Sequence, residues 1–407
     1  MIKNTFYIFA GRISNVVFLF LLTVVVSRHL GPALFGIFSF LTTVVIAANC
    51  FSNLGLDTWM VREITQKPSQ AKKILSNILG LKFAASLVTI LFVFLIFQSS
   101  NLPDSTLHLL WILSISLLFN TVSQTLWHYG NCFKQFIYHS VLWASSNALK
   151  ATLGIILVLL YGNLEPLIWG VVIAEAVAMF LSFYIIYQKF GHFSPEFHFL
   201  TWKDFLFRSS PIAMGMIFSV LYFRLDVVML QLMTEETVVG WYSAAYKFFE
   251  GAVILPHSLM LVMFPTLVDE YHKDFPRFKN SVLKALTMFS LIGALIALVL
   301  WGFSSQIILL IYGNDFSPAI GILDIIAIAV FLFFINFLLS NILITSGREV
   351  INTWNLVIAT FLNIMLNLTL IPLYGGLGAA WATLICEIFL IVILSLEVRK
   401  FIKGREV

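Results

Sequence analysis

The chain has 407 residues, with 60% hydrophobic residues, only 11% charged ones and a net charge of +4. With a mean hydropathy of +0.96 this excludes a water-exposed surface and predicts a polytopic membrane protein. No basic cluster indicates nucleic acid, and Cys50, Cys132 and Cys386 sit far apart inside apolar runs, as small buried hydrophobes rather than a disulfide framework or metal site.

From the N-terminus, Lys3 precedes an apolar run that contains Arg12, continues to Val26 and lacks a small-residue cleavage site, which predicts a retained first helix. Apolar segments of about 20 residues, the length that crosses a hydrocarbon core, then recur along the chain. Twelve are expected, at 5–27, 34–56, 77–98, 107–128, 141–161, 166–188, 207–231, 239–266, 284–304, 318–345, 350–372 and 376–398. With both termini cytoplasmic, the cytoplasmic segments collect 18 of the 24 Lys and Arg. Only Arg28 falls on the opposite face, and Arg12, Lys82, Lys150, Arg224 and Lys247 lie within helices. Gly240-Trp-Tyr-Ser243 echoes Gly36-Ile-Phe-Ser39 across half the chain. Six helices per half enter the membrane from the same side, so the expected fold is all-α. It has two parallel six-helix bundles, 1–188 and 207–407, around a central cleft, joined by a cytoplasmic linker at 189–206.

Charges inside spanning helices need a partner or a wet cavity, so the polar inventory is the guide to function. On the first helix Arg12 and Asn15 share a face, and on the fifth Trp143, Asn147, Lys150 and Gly154 form one stripe. On the seventh, Gly215, Ser219, Tyr222 and Asp226 align, whereas Arg224 points about 200° away from Asp226 and either joins a cavity or snorkels outward. On the eighth, Tyr242, Tyr246 and Glu250 share a face, with Lys247 one turn from Glu250. Glu175 and Glu387 hold the middles of the sixth and twelfth helices, and Asn352, Asn355, Asn363 and Asn367 line the eleventh. Each group has two readings: it lines a transport path, or it bonds a neighbouring helix. Five cations balance Glu175, Asp226, Glu250, Asp324 and Glu387, so charge count does not name the sign of a substrate.

No phosphate loop, zinc-protease or hydrolase motif is present, so no catalytic residue and no cofactor are expected. His192, Glu196 and His198 admit a metal reading, but a solvated linker is the better one, and no metal is expected.

The stretches Ser27–Ser39, Leu54-Gly-Leu56 with Val61-Arg-Glu63, Arg224-Leu-Asp226 with Gly240–Lys247, Ile311–Phe316 and Leu370–Ala380 resemble the polysaccharide and O-antigen flippases. These belong to the multidrug, oligosaccharidyl-lipid and polysaccharide exporter superfamily. Asn53 stands where that family often has Asp. The resemblance implies a cytoplasmic (inner) membrane protein that moves a polyprenyl-pyrophosphate-linked oligosaccharide to the outer leaflet by alternating access. It implies as partners that lipid-linked sugar, the lipid bilayer, a polysaccharide polymerase and a chain-length regulator. On this reading Arg12, Lys150 and Lys247, with Arg224, hold the pyrophosphate in a cavity that also includes Asn15, Asn147 and Tyr246. Asp226, Glu250, Glu175 and Glu387 are then the candidates for ion coupling. Two alternatives remain: a multidrug exporter of the same superfamily, and a membrane polysaccharide polymerase or ligase. The enzyme reading lacks the long outer loop such a site needs.

Overall fold

The computed structural model describes the backbone of residues 2–403 and the side chains of Gly11, Ser14 and residues 16–402. Among the described residues the chain is helical, without strands. The helices follow the apolar runs, because in lipid every backbone polar group must be satisfied within its own segment.

Helix α1 (Ile2–Asn53) is broken at Gly31 (φ 74, ψ 177), immediately before Pro32. Unbroken, its 52 residues would reach about 78 Å, more than twice a hydrocarbon core. Eleven helices among the described residues are long and apolar enough to cross a membrane, and the first, Val16–Gln66, contains this break and serves as two. The twelve expected segments are therefore all present as helices. Leu54 and Gly55 take positive φ and redirect the chain into α2 (Leu56–Gln66), a turn the sequence reading did not anticipate. Next come α3 (Ala71–Gln98), then α4 (Asp104–Ser114) and α5 (Ser116–Cys132), which split the fourth segment at Ile115. Gly162 in the left-handed region ends α6 (Phe136–Tyr161), and Asn163, whose side chain accepts from the Leu164 N–H, opens α7 (Leu164–Phe190).

The second half holds α8 (Phe199–Met233), α9 (Glu236–Lys273), α10 (Phe275–Gly302), α11 (Ser304–Ile311), α12 (Ala319–Thr345), α13 (Glu349–Tyr374) and α14 (Gly376–Lys403). Pro256 and Pro265 lie within α9. The chain forms two compact units, Met1–Arg224 and Leu225–Val407, with the boundary inside α8. In the first unit α6 packs along α1 and α7, and α5 against α7; in the second, α12 packs against α9, α10 and α14. Leu56, Trp59, Leu75, Trp127 and Phe205 are core of the first unit. Val88, Leu91, Phe92 and Leu95 on α3 and Leu291, Leu295 and Leu298 on α10 are exposed at helical spacing, as faces in contact with lipid are.

The segment 191–198 runs along α3: the Glu196 N–H donates to the Ser76 carbonyl at 2.9 Å, and Asn77 Nδ2 donates to Glu196 Oε2 at 2.7 Å. Gly80 makes room for it, since a Cβ there would strike the Glu196 carbonyl. His198 Nε2 lies 3.8 Å from Glu196 Oε2, and His192 is bonded to Tyr187.

Candidate transport site

Lys150 on α6 and Glu175 on α7 form an ion pair at 2.8 Å. The two halves are unequal, because the Glu175 side chain is 5% exposed and that of Lys150 is 16% exposed. Asn120 on α5 donates to the same carboxylate oxygen, Oε1, at 3.0 Å. Glu175 Oε2 is buried without a hydrogen-bond partner. The pair is held in place by close packing one turn away, where a Cβ on Gly154 would sit 2.8 Å from both Leu22 and Leu167.

A polar ladder runs from this pair down α5. Gln124 Nε2 donates to Asn120 Oδ1 at 2.7 Å, Asn49 Nδ2 donates to Gln124 Oε1 at 3.3 Å, and Thr121 Oγ1 donates to Asn49 Oδ1 at 3.1 Å. Gln124 also bounds a cavity of about 470 Å³ whose lining includes Trp127, His128, Asn131, His139 and Trp143. The rings of His128 and His139 meet edge to face at 4.7 Å, and Asn131 Nδ2 lies 3.0 Å from His139 Nδ1. Trp143 and Lys150 therefore share α6, about 10 Å apart by helical rise. Between them Asn147 is buried and turns its amide back to the Trp143 carbonyl at 2.9 Å.

One polar centre has no counterpart in the sequence reading. Lys82 Nζ bonds Asp57 Oδ1 at 2.7 Å and Thr125 Oγ1 at 2.8 Å, with side-chain exposures of 0% for Lys82 and 4% for Asp57. Asn53 Nδ2 donates to Asp57 Oδ2 at 2.7 Å, and His128 Nδ1 lies 3.8 Å from that oxygen. The carboxylate that Asn53 lacks is thus supplied one turn on, by α2. Lys82 was legible as an intramembrane cation, but the bend at Gly55 that aims Asp57 at it was not. Asn120, Gln124 and His128 were legible too, as an i, i+4 stripe.

In the second unit Lys247 Nζ pairs with Glu250 Oε2 at 2.8 Å, both about a quarter to a third exposed. Asp226 is buried, accepting from the Tyr242 hydroxyl and from the Val227 N–H at 2.9 Å. Tyr246 is buried between the stacked rings of Tyr242 and Phe249. Glu387 is buried and accepts from Asn336 Nδ2 at 2.7 Å. Arg224, at the boundary of the units, is half-buried. Asn355, Asn363 and Asn367 are buried, and Asn367 donates to Asn363 at 2.9 Å. The side chains of Arg12 and Asn15 lie outside the described residues. Two of the stretches singled out in the sequence meet, since Trp241 Nε1 donates to the Asp315 carbonyl at 2.9 Å. Beside them, outside the spanning helices, burial and nearby Glu250 push the Tyr312 phenol up. No three His, Cys, Asp or Glu side chains gather in a metal-binding group among the described residues.

Residues 1–272 match the family described as "Polysaccharide biosynthesis protein". The chain belongs to that family. Within this polysaccharide biosynthesis protein, residues 211–369 also match the MatE family. No curated protein matches it. Among solved structures its fold is similar to the lipid II flippase MurJ in an inward closed conformation, with 18% identity over 98% of this chain and 88% of that one and a TM-score of 0.80. It is similar also to an inward-facing multidrug resistance MATE family transporter of the MOP superfamily (14% identity, 96% of both chains, TM-score 0.71). A third is a MOP superfamily transporter from Pyrococcus furiosus whose binding pocket is described as reversed in polarity (12% identity, 98% and 95% of the chains, TM-score 0.65). At these identities the likeness is one of fold. This multi-pass polysaccharide biosynthesis protein thus has the fold of known membrane transporters and flippases.

Proposed function

We propose that the chain is a flippase of the cytoplasmic membrane that carries a polyprenyl-pyrophosphate-linked oligosaccharide from the inner to the outer leaflet by alternating access. The observation that carries this reading is Lys150, a lysine inside a spanning helix whose side chain is 16% exposed while that of its counter-ion Glu175 is 5% exposed. A buried structural pair has no reason to expose one partner, whereas an anion carrier does.

The surroundings support the same substrate class. Pyrophosphate is recognised by ammonium and guanidinium groups, and by sequence Arg12, Arg224 and Lys247 are the further candidate cations. The cavity that begins about two turns from Lys150 along α6 offers indole and imidazole faces with amide groups, which suits the apolar faces and hydroxyls of a sugar. An apolar groove of about 600 Å³, with Phe51, Leu54, Val88, Phe92 and Trp202 in its wall and Lys203 beside them, suits an isoprenoid tail left in lipid. Asp226, Glu250, Glu175 and Glu387 are the candidate ion-coupling groups. Consumption of the product on the outer face by a polymerase, with its chain-length regulator, would supply the same direction.

In a strain that depends on this protein for surface polysaccharide, Lys150→Ala and Arg12→Ala should each lower export at unchanged protein level, and Lys150→Glu should lower it further by repelling phosphate. Full export by Arg12→Ala and Lys150→Glu would contradict the anionic substrate. The match of residues 211–369 to MatE favours one second reading, multidrug export, and sensitivity to cationic drugs in the same strains separates the two.

A further inference from the structure

Lys150 and Glu175 stand in the sequence reading as members of different sets, one for substrate and one for ion coupling, yet the structure makes them a single unit. An ammonium has three donors, and Glu175 is the only acceptor for Lys150 among the described residues. Among the described residues two donors are left unused, on a side chain that is 16% exposed. On the other side, Glu175 keeps Asn120 on Oε1 if Lys150 leaves. Of the helices packed against α7, α6 supplies Lys150 and α5 supplies Asn120, and no other charged side chain reaches Glu175 among the described residues. The carboxylate is thus fixed and the ammonium is shared.

Two comparisons within the molecule sharpen this. The other fully intramembrane lysine of the first unit, Lys82, is closed off: its side chain has no exposure and bonds two acceptors. The second unit repeats the asparagine and the glutamate but not the lysine. Asn336 precedes Glu387 by 51 residues and bonds it, as Asn120 precedes Glu175 by 55. Lys150 stands 25 residues before Glu175, whereas the residue at that distance before Glu387 is the apolar Leu362. An Asn–Glu bond thus recurs in both units, and in the first a lysine shares the same carboxylate oxygen.

We propose that Glu175 is a built-in competitor for the substrate: it holds Lys150 while the site is empty and yields the ammonium to a diphosphate when the site is loaded. This rests on the flippase reading above and deepens it, because a carrier must let go of a strongly charged headgroup on the far side. A competing anion fixed 2.8 Å from the cation weakens the loaded state and gives Lys150 somewhere to return.

The test is binding of inorganic pyrophosphate to the purified full-length protein by titration calorimetry at one pH. Glu175→Gln removes the competing charge while keeping an acceptor for Lys150, and should bind about tenfold more tightly than wild type, the size of one charge-assisted contact. Lys150→Ala should lose the binding. Asn120→Ala leaves Glu175 more dependent on Lys150 and should bind more weakly, so the two neighbours of Lys150 are expected to act with opposite sign. If Glu175→Gln binds no better than wild type while Lys150→Ala loses binding, Glu175 merely positions the lysine and the proposal fails, with the flippase reading intact. If wild type and Lys150→Ala bind pyrophosphate equally, or neither binds, the diphosphate site itself is wrong. Should Glu175→Gln not fold, tighter or unchanged binding by Asn120→Ala overturns the proposal.

Discussion

At the scale of single residues, the two lysines of the first unit separate stability from function. Lys82 and Asp57 are buried together, so removing one partner strands the other as an uncompensated charge, at a cost of roughly 3 to 5 kcal/mol. Lys82→Met should therefore collapse the yield of folded protein and lower its melting temperature in detergent. Adding Asp57→Asn should recover part of the loss, because the orphaned charge goes with it. Lys150→Ala should leave yield and melting temperature nearer wild type, since the side chain it removes is 16% exposed and its loss opens Glu175 to water, whereas Lys82→Met keeps Asp57 sealed. Equal destabilisation by Lys82→Met and Lys150→Ala would remove the distinction. Part of this was legible: an intramembrane lysine demands an explanation, and both lysines stand out in the sequence. The partners were not, because Asp57 and Lys82 are 25 residues apart on separate helices. Helical spacing relates residues within one helix and says nothing about which helices meet.

At the scale of elements, the apolar runs specify nearly every spanning helix, and the exceptions are backbone devices. The bend after Asn53 depends on Gly55, which adopts φ 71 and ψ 4 and would place a Cβ 2.9 Å from the Ala213 nitrogen on α8. Gly31 has an equally unusual φ of 74 but open space around it. Gly31→Ala should then cost only backbone strain of about 1 to 3 kcal/mol. Gly55→Ala should cost more, because α8 must also move. Thermal unfolding of the two variants in one detergent checks the order, and a milder effect at Gly55 would show that α8 yields freely. The bend at Gly55 was missed for a physical reason. A glycine within an apolar run is compatible with an unbroken helix, and only the packing of α8 against α2, with the Trp59 and Phe205 rings 4.6 Å apart, makes the turn necessary.

At the scale of the whole molecule, composition and the alternation of basic residues lead to twelve helices, and the duplication visible at Gly36 and Gly240 reappears in three dimensions as the paired bonds Asn120–Glu175 and Asn336–Glu387. What the two halves do not share, Lys150 with the ladder and cavity beside it, is where the proposed function lies. The central claim is movement of a lipid-linked oligosaccharide, and it can be measured directly in proteoliposomes loaded with a radiolabelled polyprenyl-pyrophosphate oligosaccharide, by the rate at which a membrane-impermeant glycosidase gains access to the label on the inner leaflet pool. Wild-type protein should bring the whole pool within reach of the enzyme, and Lys150→Glu at the same protein density should leave about half of it protected. A pool that stays half protected with the wild type, or one that is released as fast with Lys150→Glu, would contradict the account.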